Sequence, residues 1–403
     1  MNILNVGQNF FIRGGSDKYQ FAITELLENK GHRVVPFAAL HSENLPTPWQ
    51  RYFPQKVDFD KPKPIDIFRY LYSVPAAKCM SRLLQDVAID IAHLHIYYGQ
   101  LTASILRPLK SRGIPIVQTL HEYKLVCPTY SLMSNGRICE ACQGHAFWKA
   151  IWQRCNRGSV SRSFLSSVEA YISRILGSVS KIDHFISVSE FQRRKFIELG
   201  IPEQKITTVH NFVDCHCIRP STSHGEHFLY FGRLERYKGV FTLLKAAADI
   251  RNVPLYIVGS GKALPEMYRW TQKRQLSHIR FLGFTKGRDL DNLIRQSICA
   301  IVPSLWYETF GLTIIETFAH GRPVIASRIG GITEIISDGE DGFLVSPGDA
   351  AELRVKLVQM AADNDLAMRM GHAARKKVQE QFSPEIHYKN LMSVYNKILK
   401  QHA

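Results

Sequence analysis

The chain has 403 residues, of which 45% are hydrophobic and 21% charged, and this composition is typical of a globular protein with about two domains. No apolar run approaches the roughly 18–20 residues of a membrane-spanning helix, and the first residues lack the pattern of a secretory signal, so we expect a cytoplasmic protein. The formal charge of +16 favours anionic partners.

Apolar runs rich in β-formers alternate with helical patterns from the start of the chain. A predicted strand at Ile3–Val6 is followed by the turn Gly14-Gly15-Ser16, and a helix then extends to about Gly31. Further strands are predicted at Val34–Phe37, Ile89–His95, Ile114–Leu120 and Phe185–Val188. Such alternation predicts a parallel sheet with helices on both faces.

The alternation stops at Asp214–His227, which resembles an interdomain linker in its Pro, Ser and Gly content, and then resumes. The later predicted strands are Phe228–Phe231, Leu255–Val258, Ile279–Leu282, Cys299–Val302 and Val324–Ala326. A final helix is predicted at Pro384–Lys400. We therefore predict an α/β protein of two doubly wound, Rossmann-like domains that face each other across a cleft. The expected boundaries are 1–220 and 221–383, with 384–403 packing back toward the N-terminal domain.

The segment from Pro303 to Glu316 carries the strongest functional pattern. Glu308 lies between a predicted strand and a helix, and Glu316 lies within that helix. Gly311 and Leu312 place backbone N–H groups at the helix start, where an anion can bind. Two carboxylates at this spacing can contact the two ends of an elongated polar ligand whose phosphates lie over the helix start.

The surrounding residues make the pattern specific. They are Ser304-Leu305-Trp306-Tyr307, Ala319–Ala326, Gly330-Gly331, Glu334, Asp338-Gly339 and Gly342–Val345. With these residues the chain resembles glycosyltransferase family 4, whose members are retaining enzymes of the GT-B fold, although Thr309 stands where Pro is common. The resemblance implies that Glu308 contacts hydroxyls of the donor sugar and that Glu316 contacts the ribose.

A second pattern, Arg233 followed by Lys238, comes after a predicted strand and resembles the diphosphate-binding pair of this family. Arginine offers a planar fork to phosphate oxygens and lysine a compact charge. By the same resemblance, Gly14 and Gly15 face the donor phosphates, and His121 lies near the donor sugar. Further backbone contacts to the nucleotide are implied for Gly259, Gly283 and Phe284.

Four cysteines cluster in an insertion-like stretch, which we call the cysteine segment (residues 127–155). Cys-x2-Cys with two flanking cysteines is typical of a structural zinc site; the alternative is a packed loop of free thiols. Disulfides are not expected in a reducing cytoplasm. The predicted metal ligands are Cys127, Cys139, Cys142 and Cys155.

Residues 146–195 contain nine basic and three acidic residues interleaved with aromatic ones. This composition suits either an anionic membrane surface or a solvated basic face over an ordinary helix. We expect transfer of a sugar from a nucleotide-sugar donor to a saccharide or polyprenyl-linked acceptor, without a catalytic cofactor and without nucleic acid. The alternatives are a nucleotide-sugar epimerase or phosphorylase of the same fold, and a non-enzymatic protein that binds anionic surfaces.

Overall fold

The computed structural model describes residues 1–59, 61 and 63–402, and the chain divides into two compact units. The first unit comprises Met1–Asn135, Cys139–Val209 and the chain from Tyr388 onward. The second unit comprises Gly136–Ile138 and His210–His387. The segment that the sequence suggested as a linker therefore lies within the second unit.

Parallel strands form one six-stranded sheet in each unit. In chain order the strands are β1 (Asn2–Val6), β2 (Arg33–Phe37), β3 (Ile91–Leu94), β4 (Ile116–Leu120), the short β5 (Met133–Ser134) and β6 (Arg137–Ile138), β7 (His184–Ser187), β8 (Ile206–Thr208), β9 (His227–Phe231), β10 (Leu255–Val258), β11 (Ile279–Gly283), β12 (Ser297–Val302), β13 (Val324–Ser327) and β14 (Gly342–Val345). The sheet orders are β2-β1-β3-β4-β7-β8 and β11-β10-β9-β12-β13-β14, and the short strands β5 and β6 lie outside both sheets.

Helices connect the strands, as parallel pairing requires. They are α1 (Gly15–Asn29), α2 (Pro64–Leu71), α3 (Val74–Asp86), α4 (Leu106–Ser111), α5 (Lys149–Trp152), α6 (Val160–Ile175), α7 (Glu190–Glu198), α8 (Val240–Ala247), α9 (Leu264–Lys273), α10 (Arg288–Gln296), α11 (Leu312–Ala319), α12 (Ile332–Ile335), α13 (Ala350–Ala362), α14 (Asn364–Gln381) and α15 (Pro384–His402). Short 3-10 helices lie at Pro48–Tyr52, Ala103–Ile105, Gln143–His145, Glu203–Lys205 and Arg236–Lys238. The predicted α/β architecture is confirmed.

The central strands are buried on both faces, which explains their nearly continuous apolar sequences. Residues of β1, β9 and β13 such as Ile3, Phe228 and Val324 are fully buried. Within the two six-stranded sheets, β8 and β14 escaped prediction: β8 has only three residues, two of them half-buried threonines, and β14 begins with a glycine. The two-residue strands β5 and β6 were not predicted either. None of the described helices has the length and apolarity needed to span a bilayer.

A buried arginine fixes the segment that leads into the second sheet. Arg322 is fully buried, and its guanidinium donates to Ser221 Oγ at 2.6 Å and to the carbonyl of Ser223 at 2.8 Å. It also donates to the carbonyl of Arg295. Burial lowers the pKa of Arg322 to about 10. Because these acceptors satisfy the buried charge, Arg322 holds Ser221–Ser223 against the body of the unit.

Candidate functional site

The strand order of the second unit places its functional side chains at one edge. The strands β9 and β12 are neighbours, although the chain leaves β9 toward β10 and β11 on one side and leaves β12 toward β13 and β14 on the other. In open α/β sheets ligands bind beyond the carboxyl ends of strands at such a reversal. Arg233 and Lys238 follow β9, and Glu308 follows β12, so the order of the strands brings together segments that are far apart in the chain.

Lys238 and Glu308 form a largely buried ion pair. Lys238 Nζ lies 2.6 Å from Glu308 Oε1, and the two side chains are 20% and 10% exposed. Two backbone contacts join their loops: the N–H of Leu305 donates to the carbonyl of Tyr237 at 2.8 Å, and Gly239 packs against Pro303. An ideal Cβ at Gly239, whose φ is 71°, would lie 1.6 Å from the Pro303 carbonyl oxygen. Only glycine therefore permits this approach.

The surroundings of Glu308 keep it ionised. Burial alone would raise the pKa of its carboxyl group, but the charge of Lys238 and hydrogen bonds from Lys238 and Ser304 outweigh burial and lower this pKa below its usual value. Ser304 is itself buried, and Lys238 Nζ lies 5.0 Å from the centre of the Trp306 ring. The sequence placed Lys238 at the phosphates and Glu308 at the sugar; the structure shows that the two form one pair.

The glycines at 330 and 331 position the backbone of Glu308. The N–H of Gly331 donates to the carbonyl of Glu308 at 2.8 Å. Gly330 has a φ of 63°, and an ideal Cβ there would lie 2.5 Å from the Glu308 carbonyl oxygen and 2.6 Å from its nitrogen. In the sequence, Gly330 and Gly331 stood out only by resemblance to the family. Their physical role is to leave room for the backbone of Glu308.

The helix α11 starts four residues after Glu308 in the chain. Gly311 precedes it with a φ of 137°, and an ideal Cβ there would lie 2.8 Å from the Ile314 side chain. The helix begins at Leu312, four residues after Glu308 and four before Glu316. Its first N–H groups and the positive end of its dipole therefore lie between the two glutamates in the chain. Glu316 lies in the second turn and is half-buried, whereas Arg233 is exposed with its guanidinium 5.9 Å from the Tyr237 ring centre.

The loops after β9, β10 and β11 are joined by backbone contacts. The N–H of Gly259 donates to the carbonyl of Gly283 at 2.7 Å, and an ideal Cβ at Gly259 would lie 1.9 Å from the Gly232 carbonyl oxygen. Phe284 follows with 72% of its surface exposed. The structure therefore brings Gly259 and Gly283 together and leaves an aromatic side chain available beside them.

In the first unit, the loop before α1 is held by a carboxylate that the sequence analysis missed. Asp17 accepts hydrogen bonds from the N–H groups of Arg13 at 3.1 Å and Gly14 at 3.0 Å, and from Asn9 at 3.3 Å. Burial raises the pKa of Asp17 despite these bonds. The sequence feature that could have revealed this role is an acidic residue in the first turn of α1, which starts at Gly15.

His121 follows β4 and belongs to a chain of aromatic side chains. His95 Nδ1 lies 3.1 Å from His121 Nε2, and the Tyr19 ring packs edge-on against both imidazoles. Behind them, His93 bonds Thr119 and the hydroxyl of Tyr395 on α15, each at 2.7 Å. Burial lowers the pKa of His121 to about 3, so the ring is neutral at physiological pH.

The hydrogen bond to His95 determines which nitrogen of His121 carries the proton. Among the described atoms, His95 Nε2 is buried without a hydrogen-bond partner. A buried N–H without an acceptor is a rare arrangement, so we assign the proton of His95 to Nδ1, from which it donates to His121 Nε2. His121 then carries its own proton on Nδ1. In this state His121 is a neutral imidazole with its donor N–H at Nδ1.

The cysteine segment contains free thiols in the structure. The thiols of Cys139 and Cys155 both donate to Gln153 Oε1, at 3.2 and 3.8 Å. Burial, and the nearby thiols of Cys127, Cys155 and Cys139, raise the pKa of Cys142 to about 12. Within the described part of the chain, no group of three or more His, Cys, Asp or Glu side chains is arranged to hold a metal ion. The zinc site therefore stays a prediction.

Comparisons with known proteins cover most of the chain. The model of "Glycosyltransferase Family 4" matches residues 13–216, and that of "Glycosyl transferases group 1" matches residues 220–377. A glycogen synthase of Mycobacterium tuberculosis is 31% identical over 304 residues, which are 73% of this chain and 65% of that protein. An O-antigen chain mannosyltransferase C of Escherichia coli is 30% identical over 175 residues, 43% of this chain and 47% of that protein. This chain thus spans less than two thirds of the length of these relatives.

Solved structures share the fold over nearly the whole chain. A glycosyltransferase from Rickettsia africae superposes with a TM-score of 0.70 at 21% identity and covers 99% of this chain and 98% of its own. Anabaena Alr3699/HepE, in complex with UDP and glucose, superposes with a TM-score of 0.72 at 16% identity and covers 98% and 100%. The two Rossmann-like sheets and these structures identify the GT-B fold. The chain belongs to glycosyltransferase family 4.

Proposed function

We propose that the protein transfers a sugar, with retention, from a nucleotide-sugar donor to a saccharide or lipid-linked saccharide acceptor in cell-surface polysaccharide synthesis. The observation that carries the proposal is the Lys238–Glu308 pair at the reversal of strand order in the second unit. The UDP and glucose named for the Anabaena protein support a nucleotide-sugar donor, and the mannosyltransferase relative supports a surface polysaccharide.

The proposed chemistry follows from charge. Departure of a nucleoside diphosphate builds negative charge on the leaving oxygen, and preorganised donors at that position lower the barrier. Arg233 supplies a cation, Lys238 supplies a second one that Glu308 partly neutralises, and the start of α11 supplies backbone N–H groups. Glu308 and Glu316 are acceptors for hydroxyl groups of the donor, and His121 is a neutral donor to a sugar hydroxyl. Gly15 offers a backbone N–H group at the start of α1, whereas the N–H of Gly14 donates to Asp17.

The test is a panel of UDP-, GDP- and ADP-sugars, incubated with and without saccharide acceptors, with the products resolved by NMR so that the anomeric configuration is read directly. We expect transfer with retention from one donor class and its loss in Lys238→Ala and Glu308→Ala. Near-normal turnover in either variant refutes the assigned site. Conversion of the donor alone into its epimer favours an epimerase, and a requirement for phosphate favours a phosphorylase.

A further inference from the structure

The helix α6 has its faces reversed relative to an ordinary surface helix. Its buried residues are polar or small: Ser163, Ser166, Ser167, Glu169, Ala170 and Ser173. Its exposed face carries large apolar side chains at spacings of four, seven and four, which lie on one side of a helix: Val160, Phe164, Tyr171 and Ile175. Phe164 is 56% and Ile175 83% exposed. A surface helix normally buries its apolar face, so this one has an apolar face open to a partner.

The neighbouring helix α2 shows the same reversal. Asp66 is buried, while Ile65, Ile67 and Phe68 are exposed, Phe68 by 69% of its surface. The two helices contact each other. Together with Trp152, which is 81% exposed, these side chains form a surface that we call the α2–α6 face. It holds a large share of the exposed apolar side chains among the described residues.

A buried ion pair explains why the polar sides face inward. Lys124 and Glu169 form an ion pair with side chains 8% and 2% exposed, and Lys124 Nζ also donates to the Pro128 carbonyl at 2.8 Å. Tyr70 of α2 bonds Ser166 of α6 next to this pair. Because a buried charge requires polar neighbours, the interior here attracts the serine face of α6 and leaves its apolar face outside.

The charge around the α2–α6 face is positive. Exposed basic residues flank it at Lys61, Lys63, Arg154, Arg157 and Arg162. Asp66 and Glu169 are buried, whereas Asp58 is exposed and accepts a hydrogen bond from the N–H of Lys61, so basic side chains outnumber acidic ones at this rim. At the end of the stretch 146–195 the positive charge is balanced, since Lys195 forms ion pairs with Glu140 and Glu198. An apolar face surrounded by cations matches the interface of an anionic bilayer, where apolar side chains enter the acyl boundary and arginines remain at the headgroups.

We propose that the α2–α6 face docks the protein on an anionic lipid bilayer. Phe68, Phe164 and Ile175 enter the boundary between headgroups and acyl chains, and Arg157 and Arg162 contact lipid phosphates. The excess of basic side chains around an apolar surface favours an anionic bilayer over a protein partner. The inference does not depend on the proposed transfer reaction, since docking needs neither donor nor acceptor.

The experiment is co-sedimentation of the full chain with vesicles of phosphatidylcholine, with and without phosphatidylglycerol. We expect binding to the anionic vesicles, weakened by salt. Arg157→Gln with Arg162→Gln should lower the partition coefficient roughly 25-fold, and Phe164→Ser with Ile175→Ser by more than about ten-fold. Val355→Ser with Val358→Ser on α13 is the matched control, since these valines are also exposed, and it should bind as the wild type does.

Ile175→Ser alone keeps the test decisive if the double variant folds poorly, because Ile175 is the most exposed apolar side chain of α6. Trp152 fluorescence should shift to shorter wavelength on anionic vesicles and lose that shift in Trp152→Phe. Failure of the wild type to sediment with anionic vesicles, or equal binding by wild type and the apolar variants, overturns the proposal. Dimerisation of the wild type that Phe164→Ser abolishes, without vesicle binding, assigns the face to a second copy and also overturns it.

Discussion

Replacing Lys238 by Met leaves Glu308 as a buried carboxylate without its cation. The pair is largely buried, with 10% of the Glu308 side chain exposed, and breaking a buried ion pair from one side costs about 3–5 kcal/mol. The Lys238 side chain is 20% exposed, so solvent reaches it, and we expect the lower end of about 3 kcal/mol. For a unit of this size that loss lowers the midpoint of thermal unfolding by about 6–12 °C.

The pH dependence of this loss has a definite sign. In the wild type the pKa of Glu308 is depressed below 4.5, so the pair stabilises the fold above that pH and the contribution is lost as pH falls through the depressed value. In Lys238→Met burial is the main remaining influence and raises this pKa. The folded variant then binds a proton more tightly than the unfolded chain, so the variant loses stability as pH rises. The difference in the free energy of unfolding between wild type and variant therefore becomes smaller as the pH falls from about 7.5 to about 5.

The assay is thermal unfolding followed by circular dichroism at both pH values. The double variant Lys238→Met with Glu308→Gln should recover most of the loss at neutral pH, because it removes the unpaired charge. Lys273→Met, at an exposed lysine that ends α9, is the matched control and should unfold close to the wild type. A Lys238→Met midpoint within about 2 °C of the wild type, or a difference that does not change with pH, would refute the reasoning.

Three further outcomes are expected. Gly330→Ala should lose more stability and more affinity for the donor nucleotide than Gly339→Ala, since both positions have positive φ but only the Cβ at 330 would meet the Glu308 backbone. Equal losses in thermal unfolding and in titration with the nucleoside diphosphate of the identified donor would contradict this. His95→Asn, whose amide can replace the Nδ1–H donor, should keep His121 protonated on Nδ1 in 15N NMR spectra and keep transfer activity, whereas His95→Leu should lose both; indistinguishable His121 signals in the two variants would count against the assignment. Metal analysis of protein purified without added metal tests the cysteine segment, and near-stoichiometric zinc is the result that the sequence predicts.

The strands were predictable because their signal is local. Each predicted strand is present in the structure, since a buried parallel strand needs a continuous apolar run that the sequence shows directly. The strand β8 lacks this signal because Thr207 and Thr208 are half-buried. The strand β14 was noticed only for its resemblance to family members, since a glycine opens it.

The ion pair could not be predicted, because it depends on strand order. Lys238 and Glu308 are adjacent only because β12 pairs with β9 in the sheet, although two strands separate them in the chain. Periodicity gives the strands but not their order. The reversed helix α6 shows a similar limit: its interleaved basic and aromatic residues were visible, but which face is buried depends on the Lys124–Glu169 pair beneath it.

The pairing of Lys238 with Glu308 leads to a prediction for donor binding. In the pair the lysine charge is largely neutralised, so the attraction for an incoming diphosphate comes mainly from Arg233 and the start of α11. Glu308→Gln removes the competing carboxylate and releases the charge of Lys238. Repulsion between two unit charges 4 Å apart is about 1 kcal/mol in water and about 4 kcal/mol near a protein surface, so the nucleoside diphosphate of the donor should bind at least roughly five-fold tighter.

Transfer by the same variant should fall, because Glu308 no longer accepts hydrogen bonds from the donor sugar as a carboxylate. Tighter binding of the nucleoside diphosphate with slower transfer would separate a role in catalysis from a role in holding the nucleotide, since loss of a general binding contact weakens both. Isothermal titration with the nucleoside diphosphate of the identified donor and initial rates with that donor measure the two effects. Arg233→Ala is the contrasting variant, for which both nucleotide affinity and transfer rate should decline. Weaker nucleotide binding by Glu308→Gln would show that the carboxylate acts by orienting Lys238 rather than by competing for it.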